Sequence, residues 1–236
     1  MSANPEFYIE EHAVLYALMV KEARACGDVG EAASVEATCR YGRERGGRMA
    51  KRALLDGKKL TMQTYTQYGE WVDSKGWSKS KVSALSPVYT TDAIQCGWCD
   101  SWKKHDLLKD GKLYCEYIDY NLVKGFNSEN ELTITSVLSR GEESCHFVWN
   151  GVSFDSEEAV KQNIQEKSAM ANRNLKDFLY HTAHLFASMK ATFAEMLGED
   201  KAQVIAGNAL TRFEELFGGE KTEALTEAAM QDFTTV

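Results

Sequence analysis

Proline and long hydrophobic runs are both scarce in this sequence. Only Pro5 and Pro87 occur in 236 residues, so few helices can be interrupted by a residue that lacks a backbone N–H. No apolar run approaches the roughly 20 residues that a membrane-spanning helix needs. The first residues, MSANPEFYIEEHAVLY, show neither the basic stretch nor the small-residue cleavage site of a secretion signal. We therefore expect a cytoplasmic protein that does not enter a membrane.

An excess of positive charge is also lacking. The chain carries 27 Lys and Arg against 35 Asp and Glu, a formal net charge of −8, which argues against nucleic acid as a partner. One segment is an exception, because residues 40–59 hold eight basic side chains against two acidic ones. A basic island in an acidic protein suits a small anion better than a nucleic-acid duplex.

Periodicity predicts helices at both ends of the chain and strands in the middle. Apolar residues at helical spacing predict helices over 10–25, 31–55 and 60–75, then a short helix at 96–104 and a longer one at 112–126. Alternating and β-branched residues predict one or two strands in 81–94 and a strand–turn–strand in 131–152. From Asp155 onward the pattern is helical, with Asp155 or Ser156 as the cap. We expect an α+β fold in which helical N- and C-terminal segments pack around a small antiparallel β-sheet, as a single domain over 1–236.

The segment CRYGRERGGRMAKRA combines glycines and arginines on different faces of one helix. Each glycine costs a helix roughly 0.8–1 kcal/mol relative to alanine, so the small face with Gly42 and Gly46 predicts the close approach of another backbone or a ligand. The same face could also meet a second copy of the chain in a homo-oligomer. Arg45, Arg48 and Arg52 lie on another face. They predict either a bidentate site for a carboxylate or phosphate or ordinary solvated arginines.

The six cysteines are expected to be thiols, since no export signal precedes them. Cys96 and Cys99 form a CxxC, and Cys115 and Cys145 follow at wide spacing. A zinc ribbon needs a second tight pair, and a redox pair needs a βαβ context, so both interpretations are weak. Packing in the core is the simpler interpretation, although Cys115 precedes Asp119 by four residues and Cys145 precedes His146.

Two histidines lie one turn apart in the segment KDFLYHTAHLF. Asp177 and His181 have i, i+4 spacing, and His184 follows one turn later. This arrangement can hold a metal or orient a histidine for acid–base chemistry. The alternative is a polar, solvated helix face.

Several blocks together resemble the L-2-amino-thiazoline-4-carboxylic acid hydrolase family. They are EHAVLYALMVKEA, RYGRERGGRMAKRAL, CGWCDSW, YCEYIDYNLVKGFN, RGEESCHFVW and YHTAHLF, in that order. The blocks extend from about residue 10 to residue 218, and the order and spacing carry the resemblance rather than any single block. Cys99 is not part of the family pattern.

The resemblance implies an enzyme that opens a thiazoline ring by adding water to an amidine carbon, with a small-molecule carboxylate as the substrate. A carboxylate beside the amidine would make that carbon electrophilic, and Asp119 is the candidate. Cys115 or Cys145 could attack as a thiolate, or His184 could activate water. An arginine, Arg48 or Arg45, would hold the substrate carboxylate. The remaining candidates would bind substrate or line its pocket: Trp98, Trp102, Tyr114, Phe126 and His181.

Two other hypotheses remain open at the level of sequence. One is a metal- or cofactor-binding protein with a redox or sensing role, for which the ligands would come from Cys96, Cys99, Cys115, Cys145 and His184. The other is a domain that binds a small carboxylate without turnover. In the hydrolase hypothesis no metal and no cofactor are expected.

Overall fold

The computed structural model describes residues 5–236 and confirms the α+β class. Its helices are α1 (Ile9–Arg24), α2 (Asp28–Leu55), α3 (Met62–Gln67), α4 (Gly97–Lys104), α5 (Leu108–Phe126), α6 (Glu157–Ala169), α7 (Ala171–Asn174), α8 (Phe178–Leu197), α9 (Glu199–Phe217) and α10 (Gly219–Ala228). Its strands are β1 (Lys79–Ala84), β2 (Tyr89–Gln95), β3 (Leu132–Ser136) and β4 (Cys145–Trp149). Among these helices none combines the length and the apolar character that crossing a membrane requires.

The helix boundaries follow local capping chemistry. Ser156 caps α6, as predicted, by accepting a hydrogen bond from the backbone N–H of Ala159. Gly198 and Gly218 separate the last three helices in backbone conformations with φ of 93° and 89°, which favour glycine. The sequence thus marks the ends of the C-terminal helices through single residues.

The predicted helix over 60–75 is wrong in its length. The structure ends α3 at Gln67 and continues without regular structure toward β1. Leaving the helix allows Glu70, which is fully buried, to meet arginine side chains from α2. Tertiary ion pairing therefore overrides the local helical pattern in this segment.

The four strands form one antiparallel sheet in the order β1-β2-β4-β3. The central strand β4 pairs Phe147 with Thr91 of β2 on one side and with Ile134 of β3 on the other. Leu132 of β3 is buried whereas Thr133 is exposed, so the predicted strand–turn–strand alternation is confirmed. The residues 79–95 contribute both β1 and β2.

The chain folds into two compact units, each made of separate segments. The first unit contains residues 5–41, 97–117 and 177–233, and the second contains 42–96, 118–176 and 234–236. The first is helical, with α1 packed on α4, α8 and α9. The second holds the sheet, the C-terminal half of α2 and the end of α5. The prediction of a single domain over 1–236 remains a prediction.

Glycines bring α2 and α5 into backbone contact within the second unit. A Cβ added to Gly46 would overlap the carbonyl oxygen of Leu122, and one added to Gly42 would lie 2.9 Å from the Cβ of Asn121. The contact is reciprocal, because a Cβ on Gly125 would overlap the backbone of Arg43. The close approach predicted from the small helix face is confirmed, and another helix makes it.

Candidate functional site

Three arginines of α2 converge on one buried carboxylate in the second unit. Arg48 binds Glu70 through two parallel bonds, from Nε to Oε1 and from Nη2 to Oε2, both 2.8 Å long. Nη2 of Arg52 donates to Oε1 of Glu70 at 2.6 Å, and Nε of Arg45 lies 3.5 Å from Oε2. The i, i+3, i+7 spacing of these arginines places them on one face of α2.

All four charged side chains of this cluster are buried. Arg45, Arg48 and Arg52 are 4%, 2% and 6% exposed, and Glu70 is 0% exposed. The interpretation of the arginines as solvated surface residues is therefore wrong. Burial of charge is costly unless the charges are paired, and here one carboxylate serves three guanidinium groups.

Asp119 is the second acidic group of this region and has a perturbed pKa. Burial raises the pKa of its carboxyl to about 6, and the positive charge of Arg45 opposes that rise. The side chain nevertheless keeps part of its surface accessible. A pKa of about 6 suits a general acid or base that works near neutral pH.

The charge of Asp119 acts on Tyr65, which belongs to a group of aromatic side chains. Burial and the Asp119 charge raise the pKa of Tyr65, which keeps its phenol neutral. The Tyr65 ring contacts Phe126 edge to face, with ring centroids 5.6 Å apart, and lies 6.3 Å from the ring of Trp149. The candidate Phe126 is 2% exposed and so contributes an apolar wall rather than a polar contact.

Cys145 stands at the start of β4 and its sulfur accepts a hydrogen bond from the backbone N–H of Leu138 at 3.3 Å. The next residue, His146, binds Asp92 of β2 through Nδ1 at 2.6 Å. Ser83 of β1 donates a hydrogen bond to the other oxygen of Asp92. Because the serine contacts the carboxylate and not the imidazole, this group lacks the arrangement of a nucleophilic triad.

The first unit contains a buried hydrogen-bond chain centred on His12. Nε1 of Trp98 donates to Nδ1 of His12 at 3.0 Å, and Nε2 of His12 lies 3.0 Å from the hydroxyl of Tyr41. That hydroxyl donates to the carbonyl oxygen of His181 at 3.2 Å. Since Nδ1 accepts a hydrogen bond, a neutral His12 carries its proton on Nε2. This series of hydrogen bonds fixes the orientation of the Trp98 side chain.

Other candidates of the first unit pack around this chain. Nε1 of Trp102 donates to the carbonyl oxygen of Ala13 at 2.8 Å, so its polar atom is used within the core. Tyr114 contacts the His12 ring edge to face at 5.7 Å between centroids. Cys115, the next residue along α5, is partly exposed.

His181 and His184 are 1% and 2% exposed, so the expectation of a solvated histidine face is wrong. The His184 ring contacts Tyr41 at 4.9 Å and stacks on Phe233 at 4.8 Å between centroids. Asp177 has a capping role, because its Oδ1 accepts a hydrogen bond from the backbone N–H of Tyr180 at the start of α8.

The predicted site residues thus fall into two groups. The first unit holds Trp98, Trp102, Tyr114, Cys115, His181 and His184, and the second holds Arg45, Arg48, Asp119, Phe126 and Cys145. Within residues 5–236, no three His, Cys, Asp or Glu side chains gather as a metal site requires. All six cysteines are present as thiols.

Sequence reasoning missed Glu70 and His12. Glu70 lies in QYGEWVD, a segment that the helical pattern covers, and nothing local marks it as a partner of arginines. His12 carries a weak signal, because it is the polar residue at the start of an otherwise apolar stretch, HAVLYALMV. A polar side chain that begins such a stretch must find a buried partner, and only the fold supplies Trp98 and Tyr41.

Comparison with known proteins shows that a protein-family model matches this chain. The family model described as L-2-amino-thiazoline-4-carboxylic acid hydrolase matches residues 8–149. No curated protein and no solved structure matches the chain. The matched segment includes the arginines of α2, Glu70, Asp119 and Cys145.

Proposed function

Because the chain belongs to the L-2-amino-thiazoline-4-carboxylic acid hydrolase family, we propose that it hydrolyses a cyclic amidine that bears a carboxylate. Water adds to the amidine carbon of the thiazoline ring, and the ring opens to a carbamoyl-cysteine. The observation that carries this proposal is Asp119 on α5, a carboxyl with a pKa of about 6 on which the charge of the buried Arg45 acts, where α5 lies in backbone contact with α2.

Asp119 is suited to two tasks in such a reaction. Its ionised form accepts a hydrogen bond from the amidinium of the substrate and removes a proton from the attacking water. Its protonated form then returns that proton to the ring atom that leaves. A group with a pKa near the working pH performs both steps well, and groups of this kind typically contribute a factor of about 10²–10⁴ in rate.

The arginine cluster is suited to holding the carboxylate of the substrate. Guanidinium groups bind carboxylates through paired hydrogen bonds. Arg48 already uses its Nε and Nη2 atoms on Glu70, which makes it the anchor of the cluster. Of the three arginines, Arg45 forms the longest ion pair with Glu70, and its charge also acts on Asp119. It therefore interacts with both the arginine cluster that would bind the substrate carboxylate and the carboxyl that would act as acid and base.

The nucleophile in this proposal is water activated by Asp119. Attack by the thiolate of Cys115 or Cys145, and activation of water by His184, remain separate predictions. Serine substitutions separate them, because a Cys115→Ser or Cys145→Ser enzyme with full turnover has no need of that thiolate. His184→Gln tests the imidazole in the same way.

The direct test is mass spectrometry of the purified protein with L-2-amino-thiazoline-4-carboxylate. We expect a product heavier by one water, and a thiol reagent then shows which bond breaks. Cleavage of the ring carbon–nitrogen bond leaves the sulfur substituted, whereas cleavage of the carbon–sulfur bond releases a thiol. The Asp119→Asn variant should lose about 10²-fold or more in kcat.

A matched control uses another carboxylate of the same helix. Glu116 is also partly exposed on α5, and Glu116→Gln should retain turnover. Folded protein that forms no product from any cyclic amidine would contradict the proposed function. Binding without turnover would instead favour the hypothesis of a carboxylate-binding domain, and a stoichiometric metal in the purified protein would favour the metal-binding hypothesis.

A further inference from the structure

Among the buried side-chain atoms of the second unit that have no hydrogen-bond partner in the described residues, those of two residues lie on segments that meet in the fold. One is Arg52, whose Nη1 is buried without a hydrogen-bond partner. The other is Asn174, where both amide atoms, Nδ2 and Oδ1, are buried without a partner. The residues are 6% and 2% exposed. Buried polar groups are almost always paired, and leaving one unpaired costs about 1–3 kcal/mol.

The fold brings the chain segments that carry these two residues to the same glutamate. The carboxylate of Glu70 accepts the bond from Nη2 of Arg52 at 2.6 Å. The backbone carbonyl of Glu70 accepts a bond from the N–H of Lys176, two residues after Asn174, at 2.8 Å. One residue before Asn174, Arg173 binds Asp56, which follows α2, at 2.6 and 2.8 Å. The chain segments that carry Arg52 and Asn174 are thus joined at two points.

The unsatisfied atoms form a specific chemical pattern. Nη1 of Arg52 and Nδ2 of Asn174 are donors, and Oδ1 of Asn174 is an acceptor. Two donors match the oxygens of a carboxylate, and one adjacent acceptor matches an N–H on the neighbouring carbon. An α-amino carboxylate, open or closed into a ring, presents this combination.

We propose that Arg52 and Asn174 form the subsite for the α-amino carboxylate end of the substrate. Nη1 of Arg52 and Nδ2 of Asn174 bind the two carboxylate oxygens, and Oδ1 of Asn174 accepts a hydrogen bond from the ring N–H. The partner class is therefore a ring in which the carbon that bears the carboxylate also bears the nitrogen. This inference rests on the proposed function and assigns the carboxylate to Arg52, which its pairing with Glu70 holds in place.

A binding experiment tests the subsite without requiring turnover. Isothermal titration calorimetry compares L-thiazolidine-4-carboxylate, which carries both groups, with tetrahydrothiophene-3-carboxylate, in which CH2 replaces the ring N–H, and with thiazolidine, which lacks the carboxylate. We expect the wild-type protein to bind the first compound at least tenfold more tightly than either of the others. Equal binding of all three, or no binding of the first, would overturn the proposal.

The variants are chosen so that the fold survives. Asn174→Leu replaces an unsatisfied amide by an apolar group of similar shape, which is nearly neutral or stabilising when no ligand is bound. It should weaken binding of L-thiazolidine-4-carboxylate at least tenfold. Arg52→Lys keeps a positive charge beside Glu70 and should weaken it similarly. The matched control is Asn130→Leu, because Asn130 also has a buried Nδ2 without a partner and lies outside the subsite.

Turnover separates this proposal from the proposed function. With L-2-amino-thiazoline-4-carboxylate, Asn174→Leu should raise KM at least tenfold with little change in kcat, while kcat/KM for 2-amino-2-thiazoline stays constant. If folded Asn174→Leu and Arg52→Lys leave the ratio of the kcat/KM values for these two substrates unchanged, the proposal is overturned, and the unsatisfied atoms bind only structural water. If the wild-type protein turns over neither substrate, the proposed function fails, and calorimetry still decides the subsite.

Discussion

At the scale of single residues, the carboxyl of Asp119 couples stability to pH. Its pKa rises from 3.8 to about 6 in the folded chain because burial disfavours the charged form. The folded state therefore binds a proton more tightly than the unfolded state does. The stabilising contribution is complete below about pH 4 and is lost as the pH rises through about 6. A shift of this size corresponds to at most about 3 kcal/mol.

The Asp119→Asn variant should remove this dependence. As the pH rises from 4 to 8, we expect the free energy of unfolding of the variant to increase relative to that of the wild type by up to about 3 kcal/mol. Urea unfolding across this pH range measures the difference. Parallel pH profiles for the two proteins would contradict the assignment of the raised pKa to Asp119. Glu116→Gln serves as the control and should not change the profile in this way.

Glu70 is the residue on which the arginine cluster depends. Glu70→Gln removes the carboxylate that Arg45, Arg48 and Arg52 share, and breaking a buried ion pair by removing one partner typically costs about 3–5 kcal/mol. We expect a loss of stability of that order in chemical denaturation. The control is Glu158→Gln, because Glu158 pairs with Lys161 at the exposed surface, where an ion pair contributes at most about 1 kcal/mol. Similar small losses in both variants would contradict the importance of the cluster.

At the scale of elements, the contact between α2 and α5 positions the arginines. The glycines of α2 let α5 approach until the two backbones touch. Packing of this kind offsets the conformational cost of glycine within a helix. It also aligns Asp119 of α5 with the helix that carries Arg45, whose charge acts on it.

Two neighbouring glycines of α2 allow a matched test of this contact. Gly46→Ala should destabilise the protein strongly, since its Cβ would overlap the carbonyl oxygen of Leu122. Gly47→Ala should be neutral or stabilising by up to about 1 kcal/mol, because alanine favours helices and its Cβ would lie 3.8 Å from the nearest atom, the carbonyl oxygen of Gly125. Thermal or urea unfolding measures both. Equal stability of the two variants would contradict the close packing.

At the scale of the whole molecule, both units are assembled from segments that lie far apart in the chain. Residues 177–233 belong to the same unit as residues 5–41, whereas the matched family segment ends at residue 149. Buried apolar residues line much of α1, among them Val14, Leu15 and Met19. The burial of these residues depends on helices beyond the matched segment, because α1 packs on α8 and α9.

A chain truncated after Trp149 should therefore fail to fold cooperatively. It would expose the α1 residues that α8 and α9 cover, and exposed apolar surface costs about 25 cal/mol per Å². Circular dichroism during thermal unfolding, together with analytical size exclusion, measures the effect. A monomeric truncated protein with a sharp unfolding transition would contradict this prediction. Removal of residues 234–236 alone serves as the control.

The sequence by itself determined the fold class and most element boundaries. Alternation and helical periodicity depend only on which side chains are apolar, and caps such as Ser156 act within one turn. The glycine face of α2 also predicted the close approach of another backbone or a ligand, because such an approach offsets the cost of glycine in a helix. The candidates Arg45, Arg48 and Asp119 came from residue chemistry and from the family resemblance.

Only the tertiary structure decided which side chains meet. Glu70 was predicted to lie in a helix, and its partners are 18 to 25 residues away in the chain, a distance that local periodicity does not encode. The same holds for His12, whose partner Trp98 is 86 residues away. Burial then set the pKa of Asp119, because desolvation depends on every atom that surrounds a group and not on its neighbours in sequence.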